Sequence, residues 1–214
     1  KFEDGKWHLP LSFRNSRGVV VENCVVRGVG RPGDDLGGAA LEVSGWDLED
    51  SPAMSAVVRE CVIEECLSVV SSPKLARQPG QRGANVLLSR VWFPGRGLDH
   101  HVVVAADTLE RLTVRECLFT GQVYHNVVAV RCGTGTDIEV DHCYLGAANP
   151  LSFSETIPRG AVTLRNNLRN GAGVACFWGG AEAFADEADR TWRIEHNAHK
   201  LRPDDTQTAR LLKR

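Results

Sequence analysis

The chain has 214 residues, 43% hydrophobic and 24% charged, the balance of a globular protein able to bury a core. Its 25 basic and 27 acidic residues leave a formal charge of −2, so no basic field exists to draw it onto nucleic acid or an anionic membrane. No apolar run approaches the ~18 residues needed to cross a bilayer, and membrane insertion is not expected.

Residues 1–18 carry Trp7, Leu9, Leu11 and Phe13 but no cap pattern, and read as a lead-in or the remnant of an earlier coil. From Val19 one pattern recurs: apolar, two polar, a small or apolar marker, any residue, apolar. It runs Val21-Glu-Asn-Cys24-Val-Val26, Val58-Arg-Glu-Cys61-Val-Ile63, Leu88-Ser-Arg-Val91-Trp-Phe93 and Val114-Arg-Glu-Cys117-Leu-Phe119. It continues as Val140-Asp-His-Cys143-Tyr-Leu145 and Leu164-Arg-Asn-Asn167-Leu-Arg169, and fades at Ile194-Glu-His-Asn197-Ala-His199. A second apolar strand follows most markers, as at Ala39–Val43, Leu67–Val70, Val102–Ala105, Val127–Val130 and Gly173–Phe177. Helical periodicity is nearly absent before Pro203–Arg214, which has acidic residues in its first turn and basic ones in its last, as a helix dipole favours. Ala181–Ala188 suggests another short helix.

Short β-branched strands returning every 24 to 30 residues from Cys61 onward fit a coiled parallel sheet better than propeller blades, which need about four strands in ~40 residues. The repeats resemble those of right-handed parallel β-helix proteins, the pectate-lyase-like solenoids, over roughly Val19 to Asn197. The expectation is therefore an all-β, right-handed, single-stranded parallel β-helix of about seven coils over 19–200. A lead-in over 1–18 and a short capping helix over 201–214 complete it. The opening at Lys1 without a cap implies further coils or a domain before it.

Two outward rows test the register. One reads Glu22, Arg59, Ser89, Arg115, Asp141, Arg165, Glu195; the next reads Asn23, Glu60, Arg90, Glu116, His142, Asn166, His196. Opposite charges follow one another along both, as stacked neighbours should. Cys24, Cys61, Cys117 and Cys143 share the marker position and read as a ladder of small buried side chains, with neither a disulfide nor a metal site expected.

The resemblance implies lyases with a Lys or Arg base and Ca²⁺ on an acidic cluster, or hydrolases with close carboxylates. Neither full motif is present, so no cofactor is expected; Asp34-Asp35, in the loop Arg31–Gly38, read as turn residues rather than calcium ligands. Aligning Leu98–Val102 on Val123–Val127 matches His100 with His125 and Asp99 with Tyr124, a set able to serve as acid–base groups or as a polar turn ladder. Trp92, Phe93 and Arg96, with His101 nearby, suggest one wall of a sugar-binding face. A second polar surface runs through Asp107, Thr108, Glu110 and Arg111, then Thr134, Thr136 and Asp137, then Ser152, Ser154, Glu155 and Arg159. Trp46 and Trp178 are further stacking candidates.

The leading functional reading is a binding or recognition module that presents a side surface to an extended ligand, a carbohydrate, within a larger envelope or secreted protein. A divergent polysaccharide lyase or glycoside hydrolase using Asp99, His100, Tyr124 and His125 is the alternative, and a structural spacer the second. The missing catalytic motifs count against the enzyme. The long loops at Arg31–Gly38 and Ser72–Gly83 count against a bare spacer.

Overall fold

A computed structural model describes residues 11–14, 16–27, 39–44, 47–48, 55–64, 68–72, 81–94, 102–106, 109–120, 128–132, 137–146, 149–154, 161–169, 175–178 and 192–199. They form three seven-stranded sheets, all parallel within, and a two-stranded antiparallel one. Sheet A holds β1 (Leu11–Arg14), β4 (Ala39–Ser44), β8 (Ser68–Ser72), β12 (Val102–Ala106), β15 (Val128–Cys132), β18 (Asn149–Ser154) and β21 (Ala175–Trp178). Sheet B holds β2 (Val19–Glu22), β6 (Ser55–Arg59), β10 (Ala84–Ser89), β13 (Leu109–Arg115), β16 (Asp137–Asp141), β19 (Val162–Arg165) and β22 (Trp192–Glu195). Sheet C holds β3 (Val25–Arg27), β7 (Val62–Glu64), β11 (Trp92–Phe93), β14 (Leu118–Phe119), β17 (Tyr144–Leu145), β20 (Leu168–Arg169) and β23 (Ala198–His199). The short pair is β5 (Asp47–Leu48) with β9 (Gln81–Arg82). Each repeat thus lends one strand to each sheet, an all-β parallel architecture compatible with a β-helix.

The alternation of β-branched and polar residues in sheet B explains its faces, because successive side chains on a strand point to opposite sides. Val21, Val58, Leu88, Val114, Val140 and Leu164 stack inward in register, as do Ala56, Val86, Leu112, Ile138 and Val162. Sheet C adds Ile63, Phe93, Phe119 and Leu145, all buried. Each such Val, Leu, Ile or Phe is worth roughly 1.5–3 kcal/mol on burial. Phe93 is therefore core, not part of a sugar-binding wall, because it follows Trp92 on a strand and faces the other side.

The pairing Glu22↔Arg59↔Ser89↔Arg115↔Asp141↔Arg165↔Glu195 forms as the sequence rows imply. The second row does not lie in a strand. Asn23, Glu60, Arg90, Glu116, His142, Asn166 and His196 all adopt the left-handed conformation, with φ between 51° and 55°. Each inserts a second outward residue before the inward marker and so turns the chain from sheet B to sheet C. A side chain costs roughly 1–2 kcal/mol in this region, and Asn is among the residues that bear it best.

Three further differences from the sequence reading appear. Cys61, Cys117 and Cys143 are buried, but Cys24 is exposed, because β2 and β3 are edge strands with no described strand stacked beyond them. Glu110 and Arg111 lie in β13, Asp137 in β16, and Ser152 and Ser154 in β18, rather than in a polar connection. Val102 pairs with Val128, not Val127, because the 26-residue offset that pairs Trp92 with Leu118 continues unbroken into sheet A. Leu11–Arg14, within the expected lead-in, pairs with β4. The two expected helices, over 181–188 and 203–214, lie outside the described residues.

Candidate binding face

The residue after each marker faces outward on sheet C, and the parallel register places these residues in one line. Val25 pairs with Val62, Val62 with Trp92, Trp92 with Leu118, Leu118 with Tyr144, Tyr144 with Leu168, and Leu168 with Ala198. Val25 is 65% exposed, Trp92 43%, Leu118 43% and Leu168 51%, while Val62 and Tyr144 are half-buried. At the ~4.8 Å spacing of paired strands, the line from Val25 to Leu168 runs roughly 24 Å. The Trp92 indole N–H donates to the Thr120 hydroxyl at 3.1 Å, a bond that holds the ring against the strand beside it.

Charged residues rim this stripe on both sides. On the bend side Arg90 bridges Glu60 at 2.5 Å and Glu116 at 3.5 Å, and the Glu60 carboxylate raises the Arg90 pKa. On the far side Arg27 is ion-paired with Glu64.

Beneath the stripe, the marker side chains brace the bends. Asn167 Oδ1 accepts the Cys143 N–H at 2.9 Å while its Nδ2 donates to the Val140 carbonyl at 2.9 Å. Asn197 does the same for the next bend, accepting the Asn167 N–H at 3.0 Å and donating to the Leu164 carbonyl at 2.8 Å. Cys143 copies this arrangement with sulfur: Sγ takes the Cys117 N–H at 3.4 Å and faces the Val114 carbonyl at 3.6 Å. The two stacked thiols titrate as a pair, Cys143 first; the neighbouring Cys143 side chain and burial together push Cys117 far up. Burial also raises Cys61.

Sheet B carries a separate polar network. Glu139 accepts from Arg115 at 3.0 Å and from Arg165 at 3.0 Å, and Arg165 also reaches Asp141 at 3.1 Å. Arg115 thus takes Glu139 rather than Asp141, its stacked neighbour. Burial alone would raise the Asp141 pKa, but hydrogen bonds from Asn166 and Arg165 and the charge of Arg165 hold it below the usual carboxylate value.

Among the residues singled out from sequence, Trp92 stands on the exposed stripe. Arg111 is exposed on sheet B, 3.5 Å from Asp137. Asp137 and Glu110 also accept backbone N–H groups, from Ala161 at 2.9 Å and Gly83 at 3.2 Å, and so secure strand entries. Asp99, His100, Tyr124 and His125, together with Arg96, His101 and Asp107, lie outside the described residues. Val25, Val62, Leu118, Tyr144 and Leu168 were missed. Their signal was the position after the marker, which is apolar in all seven repeats.

Comparison with known families, curated proteins and solved structures finds no match. The reading of this chain rests on its own residues.

Proposed function

We propose that the chain is a binding module: a right-handed, single-stranded parallel β-helix of about seven coils whose sheet C face receives an extended polysaccharide. One observation carries this reading, the exposed line Val25–Val62–Trp92–Leu118–Tyr144–Leu168. A contiguous apolar patch with a polar rim is the usual mark of an interaction surface. Its length and narrowness suit a linear polymer rather than a compact ligand, and the CH-bearing face of a pyranose ring packs well on an indole or phenol. The strands beneath hold the platform in fixed register, so the ordering cost on binding falls mainly on the ligand.

Titration of the purified chain against a panel of hexasaccharides, comparing wild type with Trp92→Ala and Tyr144→Ala, tests this. Each variant should bind about tenfold more weakly, as for a central interface aromatic. Stability should fall by about 1 kcal/mol at most, the scale of a lost cross-strand contact. A sugar that binds wild type and both variants equally would remove the stripe from the site.

A further inference from the structure

We infer that the ligand of this face is an uncharged glycan of the ribbon-like β-1,4-linked kind; this inference rests on the binding-module reading above. Its first support is the charge around the stripe. Among the described residues, the carboxylates and guanidiniums that rim it are Arg27, Arg90, Glu60, Glu64 and Glu116, and both arginines already hold carboxylates. Among these groups of fixed charge, three glutamates against two arginines leave one negative charge in excess. A uronate or sulfate chain laid along the stripe would meet this excess and would have to compete with carboxylates for each guanidinium. A neutral chain meets neither cost.

The second support is spacing. Trp92 and Tyr144 are two strands apart with Leu118 between them, which sets their Cα atoms roughly 9.6 Å from one another along the stack. In a β-1,4-linked ribbon successive units are flipped, so the same face of the sugar recurs every second unit, at close to this interval. One pyranose face then stacks on Trp92, the next unit lies over Leu118, and the following one stacks on Tyr144. The polar edges of the ribbon reach the rims, where Thr120, Glu60 and Glu116 offer hydroxyl and carboxylate partners to sugar hydroxyls.

Titration of the whole chain with cellohexaose, mannohexaose, xylohexaose and hexagalacturonate, each at low and high salt, decides it. The expected result is binding of at least one neutral hexaose with an affinity that changes by less than about twofold with salt, since no charge pairing is screened. Binding confined to hexagalacturonate and weakened about tenfold or more by salt would overturn the inference while leaving a polysaccharide-binding module in place. Failure of all four to bind would overturn both.

Discussion

Asn167 closes the bend of the repeat before it: one amide spans the Val140 carbonyl and the Cys143 N–H, at 2.9 Å each. The left-handed residue His142 lies inside that span, and the Cys143 N–H beyond it falls past the end of β16 and takes its acceptor from the amide. The amide of the next repeat supplies what the sheet cannot. Replacing Asn167 with Ala strands the buried Cys143 N–H, at about 1–3 kcal/mol, and takes a side-chain donor from the Val140 carbonyl. Urea unfolding of Asn167→Ala should show a loss of about 1–3 kcal/mol, with roughly half of it recovered in Asn167→Cys, because sulfur already occupies this role at Cys143. A loss under about 0.5 kcal/mol for the alanine variant would show that the bracket contributes nothing.

The bend residues themselves give an independent test. Glu116 is exposed and holds φ at 54°, and among the described residues its side chain meets Arg90 in a long ion pair. Gly adopts this conformation freely, whereas a β-branched side chain is a genuine outlier there. Glu116→Gly should stay within about 0.5 kcal/mol of wild type, and Glu116→Val should lose about 1–2 kcal/mol. Equal stabilities for the two variants would mean that the backbone relaxes out of the left-handed region.

The contrast between strand and bend explains what the sequence reveals. Sheet B was legible because its inward positions are apolar in every repeat, and the charge rows carried the register from Glu22 to Glu195 without error. The bend was harder to read, because Asn23, Glu60, Arg90 and Glu116 look like ordinary outward polar residues. The available signal was negative: no β-branched residue occupies the third position in any of the seven repeats. The apolar stripe escaped notice for a related reason. An outward Trp92, Leu118 or Leu168 has the same composition as a core residue, and only register puts it on the surface. In sheet A the register differs by one residue from the alignment of Val102 with Val127, because strand pairing sets Val102 against Val128.

Cysteine reactivity should separate the edge from the interior. Cys24 is exposed, whereas Cys61, Cys117 and Cys143 are buried, with the Cys61 and Cys117 thiols pushed up by their surroundings. The thiolate is the reactive form, so burial and a raised pKa act in the same direction at Cys61 and Cys117, whereas Cys143, lowered by its Cys117 neighbour, is protected by burial alone. Peptide-resolved alkylation of the native protein should modify Cys24 and leave the other three intact until denaturant is added. Modification of Cys117 in the folded state at the rate of Cys24 would contradict the inward ladder.

Asp141 supplies a pH dependence with a definite sign. Burial opposes its ionisation, but the Asn166 amide at 3.0 Å and the Arg165 guanidinium at 3.1 Å outweigh it, so the folded protein holds this carboxyl below its unfolded value of about 3.9. The unfolded chain therefore binds the extra proton first. The resulting stabilisation is fully present at neutral pH and is lost as pH falls from about 5 through the folded value. Asp141→Asn removes the titration and leaves a side chain of similar size. The gap in unfolding free energy between wild type and variant should be fully present above about pH 5 and narrow as the pH falls below it, as wild type alone loses this contribution. A gap that stays constant from pH 7 down to acid would show that Asp141 keeps an ordinary pKa and that its contacts with Arg165 and Asn166 do not favour the charged form.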